Sequence, residues 1–215
     1  MHFVLSCLPI LAGLPAQDAP SAGTATLVVQ ADTPGPRVSP MLYGIFFEEI
    51  NCAGDGGLYA ELVRNRSFED SEKGPQHWTA LSPETELGFD AGWPAGEFNR
   101  RSLKATLRPG GGRAGVANGG WWGIPVRQGE SYRLSLHARA EGLAGPLRAA
   151  LEGGDGRVLA EAQIEGLGAD WKRHTALLTA GAADPKARLV LSAAPPGTLR
   201  LDMVSLFPAS TFKGH

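Results

Sequence analysis

Residues 131–140 read Ser-Tyr-Arg-Leu-Ser-Leu-His-Ala-Arg-Ala and alternate without a break. Tyr132, Leu134, Leu136 and Ala138 fall on one face, and Arg133, Ser135, His137 and Arg139 on the other. A period of two with one dry and one wet face is the pattern of a half-buried strand in an antiparallel sheet. The style recurs at short intervals. Strands are predicted at 101–107, 121–126, 146–151, 157–164, 171–179, 187–192 and 198–207. Turn clusters such as Pro109-Gly110-Gly111-Gly112, Gln128-Gly129 and Gly153-Gly154-Asp155-Gly156 separate them. Strands at this spacing predict a β-sandwich or jelly roll. The 29 glycines and 16 prolines supply the turns that such a fold requires.

Before residue 70 the character differs. Met41-Leu42-Tyr43-Gly44-Ile45-Phe46-Phe47-Glu48-Glu49-Ile50-Asn51 follows Pro40, which marks a strand entry or edge. Positions 42–47 are apolar on both alternating faces, as in a strand covered on both sides. A buried helix is the rival reading; Pro40, Gly44 and the three aromatics favour the strand. Glu48 and Glu49 then point to opposite faces and cannot form an acid/base pair by themselves. A three-glycine loop, Cys52-Ala53-Gly54-Asp55-Gly56-Gly57, leads to residues 58–64. There Leu58, Tyr59, Leu62 and Val63 stand at helical spacing, and the whole reads as one βα unit. The loop has neither the GxGxxG spacing nor the Gly-Lys-Ser/Thr ending of a phosphate cradle, which argues against nucleotide binding.

These residues carry a resemblance. Leu42 to Asn51, then Asp55-Gly56-Gly57-Leu58-Tyr59-Ala60-Glu61-Leu62, then Asn65-Arg66-Ser67-Phe68-Glu69, resemble the start of the α-L-arabinofuranosidases of glycoside hydrolase family fifty-one. The resemblance implies that residues 41–51 form the first strand of a (β/α)8 barrel. It implies that Glu48 hydrogen-bonds the arabinofuranosyl unit as a substrate contact, and is neither catalytic acid. A second resemblance rests on Gly119-Gly120-Trp121-Trp122-Gly123-Ile124-Pro125-Val126, Gly129-Glu130-Ser131-Tyr132 and the closing Leu201-Asp202-Met203-Val204-Ser205-Leu206-Phe207-Pro208. It is to the galactose-binding-like, carbohydrate-binding jelly roll inserted near the start of many such enzymes.

The expected fold is therefore mostly β: a galactose-binding-like jelly-roll sandwich plus an incomplete N-terminal piece of a (β/α)8 barrel. The expected division is a signal peptide at 1–16, a linker with an edge strand at 17–40, and the first βα unit of a truncated barrel at 41–72. The sandwich follows at 73–208 and the start of the missing barrel at 209–215. Within 17–40, residues 17–23 are small and polar, while 25–31 read as a strand. The signal reading rests on the apolar stretch 3–14 ending Leu14-Pro15-Ala16. Its n-region is weak, with His2 and no Lys or Arg, and a buried first segment is the alternative.

Chemistry is sparse. Retaining glycoside hydrolysis uses two carboxyl groups roughly 5–5.5 Å apart. The resemblance places both on later barrel strands, and a barrel takes about 250 residues. The chain alone is thus expected to lack both catalytic glutamates and to be inactive. The expected substrate-binding residues are Glu48, Trp121 and Trp122. Glu48 has the alternative of a structural ion pair. The two tryptophans, adjacent on a predicted strand, should face one in and one out; an outward ring can stack on a sugar through its apolar face, and a core tryptophan is the alternative. Glu49, Asp55 and Glu61 are read as structural, Asp202 as a turn or ladder partner, and Trp93 as a weak loop aromatic. Asn65-Arg66-Ser67 fits a glycosylation sequon that the barrel reading explains without a glycan. Cys52, with only Cys7 besides, reads as a small apolar residue.

The five histidines show no metal-ligand spacing, and no cofactor is expected. A net charge of −2 gives no general attraction to nucleic acid or anionic lipid. The expected partner is an arabinose-containing polysaccharide in a secreted or periplasmic setting, with no membrane association after signal cleavage. A non-catalytic carbohydrate-binding module and a ligand-free structural domain are the alternatives.

Overall fold

The computed structural model describes residues 27–30, 32–44, 46–91 and 99–211. The chain divides into two units, Met1–Phe46 and Phe47–His215. Among its described residues the first unit has no strand or helix, and its backbone hydrogen bonds are local turns such as Leu42 N–H to Ser39 O at 2.9 Å.

The second unit holds eleven strands among the described residues: β1 (Trp78–Ala80), β2 (Thr85–Asp90), β3 (Ser102–Leu107), β4 (Gly115–Asn118), β5 (Ile124–Val126), β6 (Ser131–Glu141), β7 (Ala144–Glu152), β8 (Val158–Ile164), β9 (Lys172–Thr179), β10 (Asp184–Ala194) and β11 (Gly197–Pro208). They form two sheets. One runs β1-β4-β10-β7-β8 with β5 also on β10; the other runs β2-β3-β11-β6-β9. Every pairing is antiparallel. The two sheets face each other as a jelly-roll sandwich, the architecture that the alternating pattern predicted.

Alternation fills the core. Tyr132, Leu134, Leu136 and Ala138 of β6, Leu103, Ala105 and Leu107 of β3, Leu147, Ala149 and Leu151 of β7, and Leu189 and Leu191 of β10 are all buried in one cluster. β11 contributes Leu199 and Leu201, then Val204 and Leu206. The change from odd to even positions is a bulge. The register to β6 shifts between Asp202 and Ser205, and Met203 sits at φ +48°. One extra residue moves the parity by one, so both halves of the strand keep their apolar side chains inward.

β11 also outruns its neighbour. β3 pairs with it only from Gly197 to Leu201. Beyond that point the freed edge takes the segment 61–66: Leu62 N–H donates to Leu206 O (3.0 Å) and Val204 N–H to Arg66 O (3.0 Å). The Glu61 carboxylate supplies the acceptor for Leu206 N–H (2.9 Å). Just downstream, Val63 and Phe68 are fully buried in the main core, with Phe68 packed on Trp78 at 5.3 Å between ring centroids.

Four expectations are corrected. The barrel strand is not seen: the described positions of 41–51 contain no strand, and Leu42 (73% exposed), Tyr43 (88%) and Phe46 (84%) lie open. A strand apolar on both faces needs ladder partners and two covering layers, and the described chain provides neither. The helix at 58–64 is absent, and no helix occurs among the described residues. Leu58 N–H and Tyr59 N–H close a tight loop on Ala53 O and Gly54 O, and the chain then runs along β11. Seven residues make a marginal helix, and an open sheet edge satisfies their backbone better. The strand at 25–31 does not form over 27–30, where Leu27, Val28 and Val29 are exposed; positions 25, 26 and 31 lie outside the described residues. At 121–126 only Ile124–Val126 is strand, and both tryptophans sit in the preceding turn, closed by Gly123 N–H to Gly119 O (3.1 Å). The signal segment, Trp93 and residues 212–215 also lie outside the described residues.

Candidate functional site

The stretch from Phe47 to Asp70 has two contrasting halves. Residues 61–70 are clamped onto the sandwich. Asn118, fully buried at the end of β4, is the hub: its Oδ1 accepts from Arg64 N–H (3.3 Å) and Gly120 N–H (2.9 Å). Its Nδ2 donates to Arg64 O (2.9 Å) and His77 O (3.1 Å). Asn65 donates to Gln76 O (2.9 Å) and accepts from Asp70 N–H (3.2 Å). Its amide is therefore occupied, and the sequon is closed to a glycan by packing rather than by a barrel helix. Trp78 Nε1 donates to Asn65 O (3.1 Å).

Trp121 belongs to this clamp. Its Nε1 donates to Glu61 O (2.9 Å), and the Arg64 guanidinium lies over its ring at 5.2 Å. Gly56, at φ +82°, approaches so closely that any Cβ there would enter the Trp121 ring. Gly120 (φ +65°) is equally constrained, because a Cβ would stand 2.7 Å from Leu62 O. Trp122 points the other way and is 64% exposed, while its carbonyl oxygen accepts from Lys186 Nζ (2.9 Å). The inward–outward split of the pair thus arises from a turn, not a strand.

Residues 47–59 carry the exposed acid. The Glu48 side chain is exposed and makes no hydrogen bond or ion pair among the described residues. Its neighbour Glu49 is committed, its carboxylate accepting from Gly54 N–H (2.7 Å) and closing the glycine loop. Burial, and the charges of Glu49 and Asp70, raise the Asp55 carboxyl, with Arg66 opposing. The Tyr59 ring meets Phe207 of β11 edge-on at 5.0 Å and lies under the Arg66 guanidinium at 5.5 Å. Cys52 is half-buried and free.

Two buried acids complete the local electrostatics. Burial raises Glu61, and the Leu206 and Val63 amides only partly offset it. Burial also drives Asp202 up to about 6; Asn99 Nδ2 (2.9 Å) and Met203 N–H (2.7 Å) act against this shift, and Glu69 adds to it. Both acids hold the β11 edge and bulge, in keeping with their structural reading. Asn118 escaped the sequence reading, because Asn118-Gly119-Gly120 signals a turn and nothing in it marks a hub. Among the described residues no group of three His, Cys, Asp or Glu could hold a metal, and no helix is long and apolar enough to cross a membrane.

No protein-family model matches the chain. It is 37% identical over 207 residues to α-L-arabinofuranosidase 1 of Arabidopsis thaliana, covering 88% of this chain and 30% of that protein. It is 38% identical over 196 residues to the extracellular exo-α-L-arabinofuranosidase of Streptomyces chartreusis, covering 88% and 22%. The arabinose-bound structure of the MgGH51 α-L-arabinofuranosidase superposes with a TM-score of 0.72 at 33% identity, over 81% of this chain and 30% of that one. This chain is homologous to the α-L-arabinofuranosidases. It spans about a third or less of the relatives it matches. The homology extends across the sandwich as well as the Glu48 segment, so the arabinofuranosidase relationship covers both parts of the second unit.

Proposed function

We propose that the chain is the N-terminal region of an α-L-arabinofuranosidase. The whole enzyme would release terminal non-reducing α-L-arabinofuranosyl groups from arabinan or arabinoxylan, with retention and without a metal. The observation that carries this reading is homology, over most of the chain, to enzymes of that name and to an arabinose-bound structure.

The distribution of acids supports the allotted roles. Glu49, Glu61 and Asp202 are engaged by backbone N–H groups, whereas Glu48 is uncommitted. An uncommitted carboxylate suits a hydrogen bond to a sugar hydroxyl, while the two carboxyl groups that retention requires are assigned by the resemblance to later barrel strands. The 215-residue chain by itself is therefore inactive in this reading, and residues 1–16 direct export. Arabinose release from an aryl α-L-arabinofuranoside is the test: the pure chain should give none above the blank, and measurable turnover would overturn the assignment.

A second reading, a non-catalytic carbohydrate-binding module, is favoured by Trp122. At 64% exposed it offers an indole face, whereas Trp121 has its N–H and ring engaged by Glu61 and Arg64. Affinity electrophoresis in arabinoxylan should show retardation that Trp122→Ala abolishes. No retardation of the parent chain would exclude the binding role.

A further inference from the structure

We propose that the outward face of the five-stranded sheet is a groove for a uronate-bearing polysaccharide, with Arg133 and Arg173 as its carboxylate receptors. An open groove of about 570 Å³ lies over β6, β9 and β11. Strand register arranges its floor in rows. Arg133 stands opposite Leu177 on β9 and Phe207 on β11. Ser135 stands opposite Thr175, and Arg173 lies one row further, opposite His137. Four residues along the strand separate the two cationic rows, roughly 13 Å. The groove thus offers an apolar row, a hydroxyl row and a guanidinium near each end.

The charge is uncompensated where it matters. Among the described residues no carboxylate lines the groove. Arg133 donates to the Ala209 carbonyl oxygen (3.1 Å), and neither it nor Arg173 forms an ion pair among the described residues. The other end of the same face is neutralised: Arg139 and Arg200 share Asp90, and Arg200 also reaches Glu141. A guanidinium binds a carboxylate as a two-pronged fork, a contact that a neutral pentose polymer cannot supply. The C–H face of a sugar ring packs on Phe207 and Leu177, the latter 57% exposed, and its hydroxyls find Ser135 and Thr175. At a net charge of −2 the chain as a whole has no general attraction for anions. This inference does not rest on the hydrolytic reading, because the sandwich bears the groove whether or not arabinose is released.

Affinity electrophoresis and titration calorimetry of the 215-residue chain test it, with polygalacturonate, the same polymer after carboxyl reduction, neutral arabinoxylan and single-stranded DNA. Polygalacturonate should retard the chain, and carboxyl reduction should remove the effect. R133Q and R173Q should each weaken binding about tenfold, while circular dichroism shows an unchanged fold. L177A, which leaves both charges in place, should also weaken it. R157Q, outside the groove, should not. The proposal is overturned if polygalacturonate gives no retardation, or if the reduced polymer or DNA binds as well. It is equally overturned if R157Q weakens binding as much as R133Q does. Competition by free galacturonate at equal residue concentration would assign the groove to a single sugar acid and overturn the polysaccharide claim.

Discussion

Replacing Asn118 with alanine tests the clamp directly. Asn118 is fully buried, and its side chain makes four hydrogen bonds, to Arg64 N–H, Arg64 O, Gly120 N–H and His77 O. Alanine removes all four. At a net value near 1 kcal/mol per bond the loss is about 4 kcal/mol. For a domain of this size that lowers Tm by roughly 10 °C. Asn118→Asp sharpens the test, because the hub needs a donor as well as an acceptor. The aspartate keeps the oxygen facing Arg64 and Gly120, but sets a second oxygen against the Arg64 and His77 carbonyls. It should therefore be worse than alanine at pH 7. Thr179→Ala, which removes only the exposed Ser131–Thr179 hydroxyl pair, is the control and should cost under about 0.5 kcal/mol. Urea unfolding followed by circular dichroism gives the free energies, and hydrogen exchange gives the location: the Arg64 amide should lose protection before the amides of β6. A loss below about 1 kcal/mol for the alanine variant, or an aspartate variant equal to the parent, would refute the clamp.

Other consequences of the same contacts can be measured alongside. Glu61→Ala strands Leu206 N–H and Val63 N–H and should cost about 3 kcal/mol in urea unfolding, whereas Glu61→Gln keeps the acceptor and should match or exceed the parent at pH 7, because burial disfavours the ionised acid. Asp202, raised to about 6 from 3.8, contributes stability that is fully present below pH 3.8 and lost as pH rises through 6, at most about 3 kcal/mol; the Tm of Asp202→Asn relative to the parent should therefore climb between pH 4 and pH 7, and a flat difference would contradict the assignment. Glu152 has the opposite sign. Its burial alone would raise it, but Arg113 (2.5 and 2.9 Å) and Arg188 (3.3 Å) outweigh that and hold it low, so its contribution is present above pH 4.5 and lost on acidification below it; Glu152→Gln should cost about 2 kcal/mol at pH 7 and less at pH 3. Deleting residues 1–46 should leave the unfolding transition in place, whereas deletion through residue 70 removes Val63 and Phe68 from the core and should abolish a cooperative transition.

The sandwich was legible where one face of a strand is wet. β6 alternates because its outer row meets solvent, and β3, β8 and β9 follow it closely enough to be read from residues alone. β4 was missed, because all four residues of Gly115–Asn118 are buried and no alternation survives. β1 and β2 are short, and their burial is uneven. The bulge in β11 was invisible, since Leu201 to Phe207 reads as a plausible run in either parity. The helix at 58–64 failed for a different reason. Its spacing groups Leu58 with Leu62, but Leu58 is 77% exposed and the partner that decides the conformation is the β11 edge, nearly 145 residues away in sequence. Among the candidate site residues, the resemblance singled out Glu48, and the structure leaves it exposed. It could not tell that Trp121 would serve as a clamp and Trp122 remain free, because Gly56 and Glu61 impose that difference from another part of the chain.

Glu49 and Glu61 tie down the stretch that carries Glu48, for a reason rooted in strand length. β11 extends past the end of β3, and the exposed edge must be closed by some other backbone. Residues 61–66 do so, with the Glu61 carboxylate standing in for a ladder carbonyl, and this fixes the chain at one point. Upstream of that point the loop is tied by its own bonds, Glu49 to Gly54 and Tyr59 to Gly54. Tyr59 then leans on Phe207, the aromatic residue at the apolar end of the arginine groove. The segment bearing Glu48 and the groove bearing Arg133 thus meet at the Tyr59–Phe207 ring contact, beside the hydrogen bonds that hold residues 61–66 on the same strand.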